Sequence, residues 1–256
     1  MDVNKNSYTF GFAVVMVVIV ASLLAIAAIS LKPFQEKNVV AEKRQNILTT
    51  IGIEVSREEA ASAYQKNISD SYVLNYKGEV VEGEAFDVDL GVEVKKSKEE
   101  QQLPIFVSEK EGKKTYILPM RGKGLWGPIW GYLALKEDMS TISGAVFDHK
   151  SETPGLGAEI SLGWFQEPFI GKTIYDGETL VSVKVVKGGA KEGDMHGVDG
   201  ISGGTITADG VSKMLSERLN MYSPFLESKR NEIMSLETDS LMVDTVYGFS
   251  SNIIVQ

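Results

Sequence analysis

The hydrophobic pattern changes character along the chain. Phe10 to Leu31 is an uncharged run, FGFAVVMVVIVASLLAIAAISL. At about 1.5 Å per residue it spans the roughly 30 Å apolar core of a bilayer, which predicts one N-terminal transmembrane helix. A cleaved signal peptide is the alternative, but its apolar core is shorter, about 7 to 15 residues. From Val39 to Ile51 the chain is charged and then apolar at helical spacing, and Ser56-Arg57-Glu58-Glu59 has the form of a capping box opening a short helix through Tyr64. From Tyr72 the texture becomes that of strands, at 72–76, 79–81, 105–107, 115–119, 129–135, 141–147 and 180–186. Lys77-Gly78 and Gly112 mark turns, and the polar segment 95–102 reads as an exposed loop. Residues 158–165 predict a helix, and Val211, Leu215 and Leu219, with Met214 beside them, give one apolar face to a helix that begins near Thr205. The fold class is therefore α+β: a twisted, mostly antiparallel sheet with flanking helices, preceded by one transmembrane helix. Leu241 to Tyr247 adds an edge strand or meets a neighbour.

Composition narrows the function. At 256 residues and 43% hydrophobic the chain accommodates one substantial domain plus appendages. A net charge of -9 with no basic cluster argues against a nucleic-acid partner. The absence of cysteine excludes disulfides and thiol chemistry and leaves the compartment open. His149 and His196 are the only histidines, so no metal site is expected, and neither a Ser/His/Asp triad nor a dinucleotide fingerprint is present. No acidic residue interrupts the apolar run, so it lacks the intramembrane polar groups that an ion pathway needs. Asp2 and Lys5 precede that run, whereas Lys32, Lys37, Lys43 and Arg44 follow it. By charge bias alone the large domain would be cytoplasmic. These cations otherwise read as a solvated helix face or a contact with lipid headgroups.

Three stretches carry candidate chemistry. Asp199-Gly200-Ile201-Ser202-Gly203-Gly204-Thr205-Ile206-Thr207 places three glycines and two threonines where a helix starts. Free amides and the positive end of the helix dipole make such a turn a seat for phosphate; an ordinary helix cap is the alternative. Arg121 to Pro128 sets three glycines around Leu125 and Trp126, which forms either a turn with a core tryptophan or a slot for a flat ring. His149 to Gly157 contains a Pro154-Gly155 turn. Of the strand-end lysines Lys184 and Lys187, the second adjoins Gly188-Gly189, and it reads as either a solvated strand end or a cation beside a ligand.

In this order the stretches resemble the FMN-binding domain family. Residues 199–205 are similar to its flavinylation sequence, Asp-Gly-x-Ser/Thr-Gly-Ala-Thr, with Gly204 where alanine is commonest; 122–126 matches a Gly-x-Gly-Leu-Trp segment, and 152–157 a Glu-Thr-Pro-Gly-Leu-Gly loop. The resemblance implies that Thr205 carries FMN through a phosphoester, as an attachment point and not as a catalytic residue. It further implies that Ser202, Gly203, Gly204 and Thr207 surround the phosphate and that Gly124, Leu125 and Trp126 flank the ring. Glu152, Thr153, Pro154, Gly155, Leu156 and Gly157 would reach over the isoalloxazine, with Glu152 and Thr153 bonding its heteroatoms or the ribityl hydroxyls. Lys187 would lie near the N1/C2 carbonyl region and favour reduced flavin.

With its stalk, the chain looks like the C subunits of sodium-translocating NADH:quinone reductases; the motifs are shared with the corresponding component of the Rnf complex. The implied role is an electron carrier that passes electrons from an iron-sulfur centre in a partner subunit to another flavin. The implied partners are the other subunits, a flavin transferase for maturation, and membrane lipid around 10–31. The implied location is the cytoplasmic membrane, single-pass, with the FMN domain on the extracytoplasmic side, against the charge bias. The divisions are a tail at 1–9, an anchor at 10–31, a helical stalk at 32–68, the FMN-binding domain at 69–225 and an extension at 226–256. A component of the Rnf complex, a stand-alone extracytoplasmic FMN electron carrier and a membrane-anchored binding module without redox chemistry are the alternatives.

Overall fold

The computed structural model describes the backbone of residues 6–250 and the side chains of residues 6–235. Helix α1 (Asn6–Thr50) runs through Pro33, so the apolar run and the stalk form one continuous rod. Among the described residues it is the one helix long and apolar enough to cross a membrane, and its apolar side chains up to Leu31 stand exposed. The rod ends in a Schellman turn: Gly52 adopts φ +77°, its amide donates to Thr49 (2.9 Å) and that of Ile53 to Leu48 (3.0 Å). Ser56 and Glu59 exchange the two bonds of a capping box ahead of α2 (Ala60–Asn67).

Strands β1 (Asp70–Leu74), β2 (Val80–Val81), β3 (Leu103–Lys110), β4 (Lys113–Lys123), β5 (Pro128–Leu135) and β6 (Ile142–His149) form one antiparallel sheet in the order β2-β1-β3-β4-β5-β6. Between β2 and β3 lie the short helix α3 (Leu90–Glu93) and a 3-10 turn at Lys98–Glu100. Adjacent residues in β3 to β5 are both buried because both faces of the sheet are covered. Ile105, Leu118, Met120, Ile129 and Leu133 face Val211, Leu215 and Leu219 of the long helix α5 (Thr205–Ser250), while Phe106, Ile117, Tyr132 and Ala134 face Ile47 at the end of α1. Helix α1 is thus wedged into the domain by its last turns. A Cβ at Gly144 of β6 would lie 1.9 Å from the Thr50 carbonyl oxygen. Gly144→Ala is expected to cost about 1–3 kcal/mol through overpacking; an unfolding midpoint equal to wild type would show that this contact is not tight.

A polar contact also joins the long helix to the sheet. Continuing the β3–β4 register beyond Phe106↔Ile117 sets Pro104 opposite Pro119, and neither proline has an amide to donate. The hydroxyl of the fully buried Tyr222 fills the gap, 2.8 Å from the Pro104 carbonyl and 3.3 Å from that of Pro119.

Several local expectations differ from what forms. Residues 158–165 are not one helix: a 3-10 turn at Gly157–Ser161 stops at Leu162, which is extended (φ -94°, ψ 146°), before α4 (Gly163–Gln166) and a 3-10 turn at Glu167–Phe169. The strand expected at 180–186 is split by Ser182 at φ +64°. What forms instead is a small hairpin of β7 (Tyr175–Asp176) with β8 (Thr179–Leu180), and a parallel pair of β9 (Lys184–Val186) with β10 (Gly197–Asp199), both outside the main sheet. Helix α5 continues through 241–247, so no edge strand forms there. The divisions drawn at 31/32 and 225/226 fall inside continuous helices.

Candidate functional site

Strands β9 and β10 aim the chain into the turn that opens α5. The Gly200 amide donates to Val186 (2.9 Å), and a Cβ on Gly200 would lie 2.9 Å from that same carbonyl. Asp199 accepts from the amide of Ala190 and so secures the Gly188-Gly189 turn, a role its place in the sequence did not reveal. Exposed Lys187 directly follows β9, with its Cα 3.5 Å from the Cβ position of Gly200. Gly203 sits at φ +76°, where a Cβ would also meet Leu156 at 2.6 Å. Gly204 caps the helix: its carbonyl accepts the first helical bond, from Ala208 (3.0 Å). A Cβ at Gly204 would be 2.8 Å from Ile201 Cγ2, which accounts for glycine there in this chain.

The amides of Ser202 to Thr207 were expected to face an anion together. That of Gly204 is instead spent on Ile201 (3.1 Å), whereas those of Thr205, Ile206 and Thr207 have no acceptor among the described residues. The two threonines differ. Thr207 is buried and its hydroxyl donates to Glu152 (2.6 Å). Thr205 is half-buried and its hydroxyl has no partner among the described residues. Ser202 is exposed.

Glu152 joins the three stretches. One carboxylate oxygen accepts from the Trp126 amide (2.8 Å) and the other from Thr207. Gly124 and Gly157 have no side chain because this carboxylate occupies the space: a Cβ on either would come within 2.6 Å of it. In the Gly-Leu-Trp segment Gly124 therefore makes room for Glu152, whereas Gly122 makes room for Met214. Glu152, expected to bond a ring, has each of its oxygens engaged by one hydrogen bond within the protein. Burial raises its pKa, but the Thr207 hydroxyl and the amides of Trp126, Leu125 and Gly127 outweigh that and hold it below the ordinary carboxylate value.

The outer surface of this knot is apolar. The β4–β5 hairpin closes tightly, with Gly124 donating to Gly127 (2.8 Å), and turns Leu125 and Trp126 outward, the latter 66% exposed. Facing loop 152–157 makes the expected turn, with Leu156 donating to Thr153 (3.1 Å) and Gly155 at φ +75°. Thr153, Pro154 and Gly155 are exposed, as are Leu156 and, at 59%, Ile206. Ile206 was not foreseen as part of the site; its apolar side chain between two threonines, on the outer side of an amphipathic helix, was the available signal. A helix N-terminus with free amides, a free threonine hydroxyl and exposed aromatic and aliphatic side chains are groups chemically suited to a phosphate ester with a flat apolar body.

Residues 124–220 match the FMN-binding domain family. Over nearly its whole length the chain is similar to the C subunit of the Na(+)-translocating NADH-quinone reductase of Vibrio alginolyticus, at 30% identity over 90% of this chain and 98% of that protein. Its counterpart in Pseudomonas aeruginosa is 31% identical over 83% and 91%. The crystal structure of the Parabacteroides distasonis counterpart superimposes with a TM-score of 0.71 at 45% identity, covering 77% of this chain and 96% of that one. NqrC of Shewanella oneidensis gives 0.66 at 27% identity, covering 75% and 98%. The chain belongs to the family of C subunits of Na+-translocating NADH-quinone reductases.

Proposed function

We propose that this chain is a membrane-anchored electron carrier of the Na+-translocating NADH-quinone reductase, with FMN attached covalently to Thr205. The observation that carries the reading is the unequal state of the two threonines: Thr205 offers a free hydroxyl beside free amides, whereas Thr207 is committed to Glu152. The residues fit the group. The amides of Thr205 to Thr207 and the dipole of α5 would receive the phosphate, while Gly203 and Gly204 let it approach. Leu125, Trp126, Leu156 and Ile206 would flank the ring, with Thr153 at its edge and Lys187 near the turn as a cation. Glu152, Gly124 and Gly157 would act one layer below, fixing the spacing of the two loops. Pro154 and Gly155 would shape the loop itself. When bound, FMN supplies one- and two-electron redox chemistry, and the protein supplies orientation and electrostatics.

The partners in this reading are the other subunits of the complex, a flavin transferase during maturation, and lipid around residues 10–31. The domain would lie on the extracytoplasmic side of the cytoplasmic membrane.

Intact mass under denaturing conditions, after co-expression with a flavin transferase, tests the reading. The expected result is an added mass equal to FMN less water, carried by the peptide that contains Thr205. An unmodified mass in a host that flavinylates a control substrate would reduce the turn to a helix cap.

A further inference from the structure

A separate cavity, of about 530 Å³, lies along the flank of α5, bounded by β4, the start of β5 and the segment after α3. Its charged lining is one-sided. Lys95, Arg121, Lys123 and Arg218 face it against the single carboxylate Glu217, in a chain whose net charge is -9. Glu217 already lies 3.7 Å from Lys213 on the helix surface. None of the four cations has a carboxylate within ion-pair distance among the described residues. Asp89 is the nearest acidic influence on Arg121, which stacks over the Trp130 ring at 5.3 Å.

Arg218 is the unusual member. It is only 7% exposed; one terminal nitrogen donates to the neutral oxygen of Gln101 (2.9 Å), and its Nε has no partner among the described residues. Desolvation lowers its pKa, as it does that of Arg121. Glu217 opposes that desolvation only in part and does not reach ion-pair distance; a guanidinium buried against an amide without an ion-pair partner is costly, and an arriving oxyanion would offset that cost with charge-assisted hydrogen bonds.

We infer that this groove binds an oxyanion, a phosphate or a carboxylate, with Arg218 as its buried donor and Lys95 and Lys123 as its rim. The site is separate from the turn at Thr205. Arg218 is more than three helical turns further along α5, about 20 Å at 1.5 Å per residue. It also stands independently of the flavin reading. The segment Gly127-Pro128, which lines the groove, directly follows Leu125 and Trp126, so an anion held here would sit beside the loop that presents those side chains.

The test uses the full chain in neutral detergent, produced with and without a flavin transferase, so that phosphate held at the Thr205 turn is told apart from phosphate held in the groove. Thermal unfolding is followed with inorganic phosphate against chloride at equal ionic strength and pH. Phosphate is expected to raise the midpoint saturably, with an apparent affinity that falls at least about fivefold in Lys95→Gln/Lys123→Gln, two exposed positions that leave the core untouched. Arg218→Gln should abolish the effect; because that change can unfold the chain, the rim variant decides. Equal midpoints in phosphate and chloride, or a phosphate effect unchanged in the rim variant, would overturn the proposal. Repeating the titration on the assembled complex identifies the natural source. Retained phosphate affinity points to a free ion, whereas loss of it together with a weakened subunit association in the rim variant points to a carboxylate from a neighbouring subunit. Both support an oxyanion site.

Discussion

Thr205→Ala is expected to remove the covalent flavin completely while the domain keeps its fold. The hydroxyl is free and half-exposed at the helix start, and no other residue depends on it for a hydrogen bond among the described residues. Alanine is a good helix former, and a substitution at such a surface position changes stability by about 0.5 kcal/mol or less. Intact mass and a thermal melt read the two halves of the expectation separately. A retained adduct in the variant would move the attachment to another residue. Thr207 would then be the next candidate, although it would have to give up its bond to Glu152.

The second large effect concerns Glu152. Glu152→Ala leaves the Trp126 amide and the buried Thr207 hydroxyl without an acceptor, and it opens a space that Gly124 and Gly157 cannot fill. The expected cost is about 3 kcal/mol, together with a marked fall in flavin incorporation, because the hairpin and the helix start are no longer held at one spacing. Glu152→Gln keeps the shape and one acceptor, so it should cost about 1 kcal/mol. The order Ala below Gln below wild type in unfolding midpoint is the readout, and an alanine variant that melts with wild type would remove Glu152 from its linking role.

The same pair of proteins shows the pH dependence. The folded pKa of Glu152 is depressed, so the folded state binds that proton more weakly than the unfolded chain does. The stabilisation is complete above the unfolded value, about 4.3, and is lost as pH falls through the lower folded value. The gap between wild type and Glu152→Gln should therefore hold from neutrality to about pH 5 and shrink below it.

Much of the architecture was legible because it rests on local period and composition. The apolar run at 10–31, the capping box at Ser56 and Glu59, the strands from Tyr72 to Phe147 and the helix face of Val211, Leu215 and Leu219 each follow from the spacing of a few neighbouring residues. The strand at 180–186 misled because its residues suit a strand, whereas the positive φ at Ser182 is imposed by the path of the chain around Ile174, whose carbonyl accepts from both Val181 and Ser182. The helix expected at 158–165 misled similarly, since Leu162 is drawn into extended geometry within a run whose composition favours a helix.

By itself, the sequence determined the long apolar helix, the α+β class and the three stretches that meet at the site, because each is a property of contiguous residues. The tertiary structure decided what those residues do there. Glu152 approaches Trp126 and Thr207 only after β5, β6 and α5 have packed, and that approach commits one threonine and frees the other. In the same way, Tyr222 finds two proline carbonyls more than a hundred positions away, and Arg218 is left buried without an ion-pair partner among the described residues. Hydrogen-bond partners across such separations are selected by the packing of sheet against helix, which no local pattern of residues encodes.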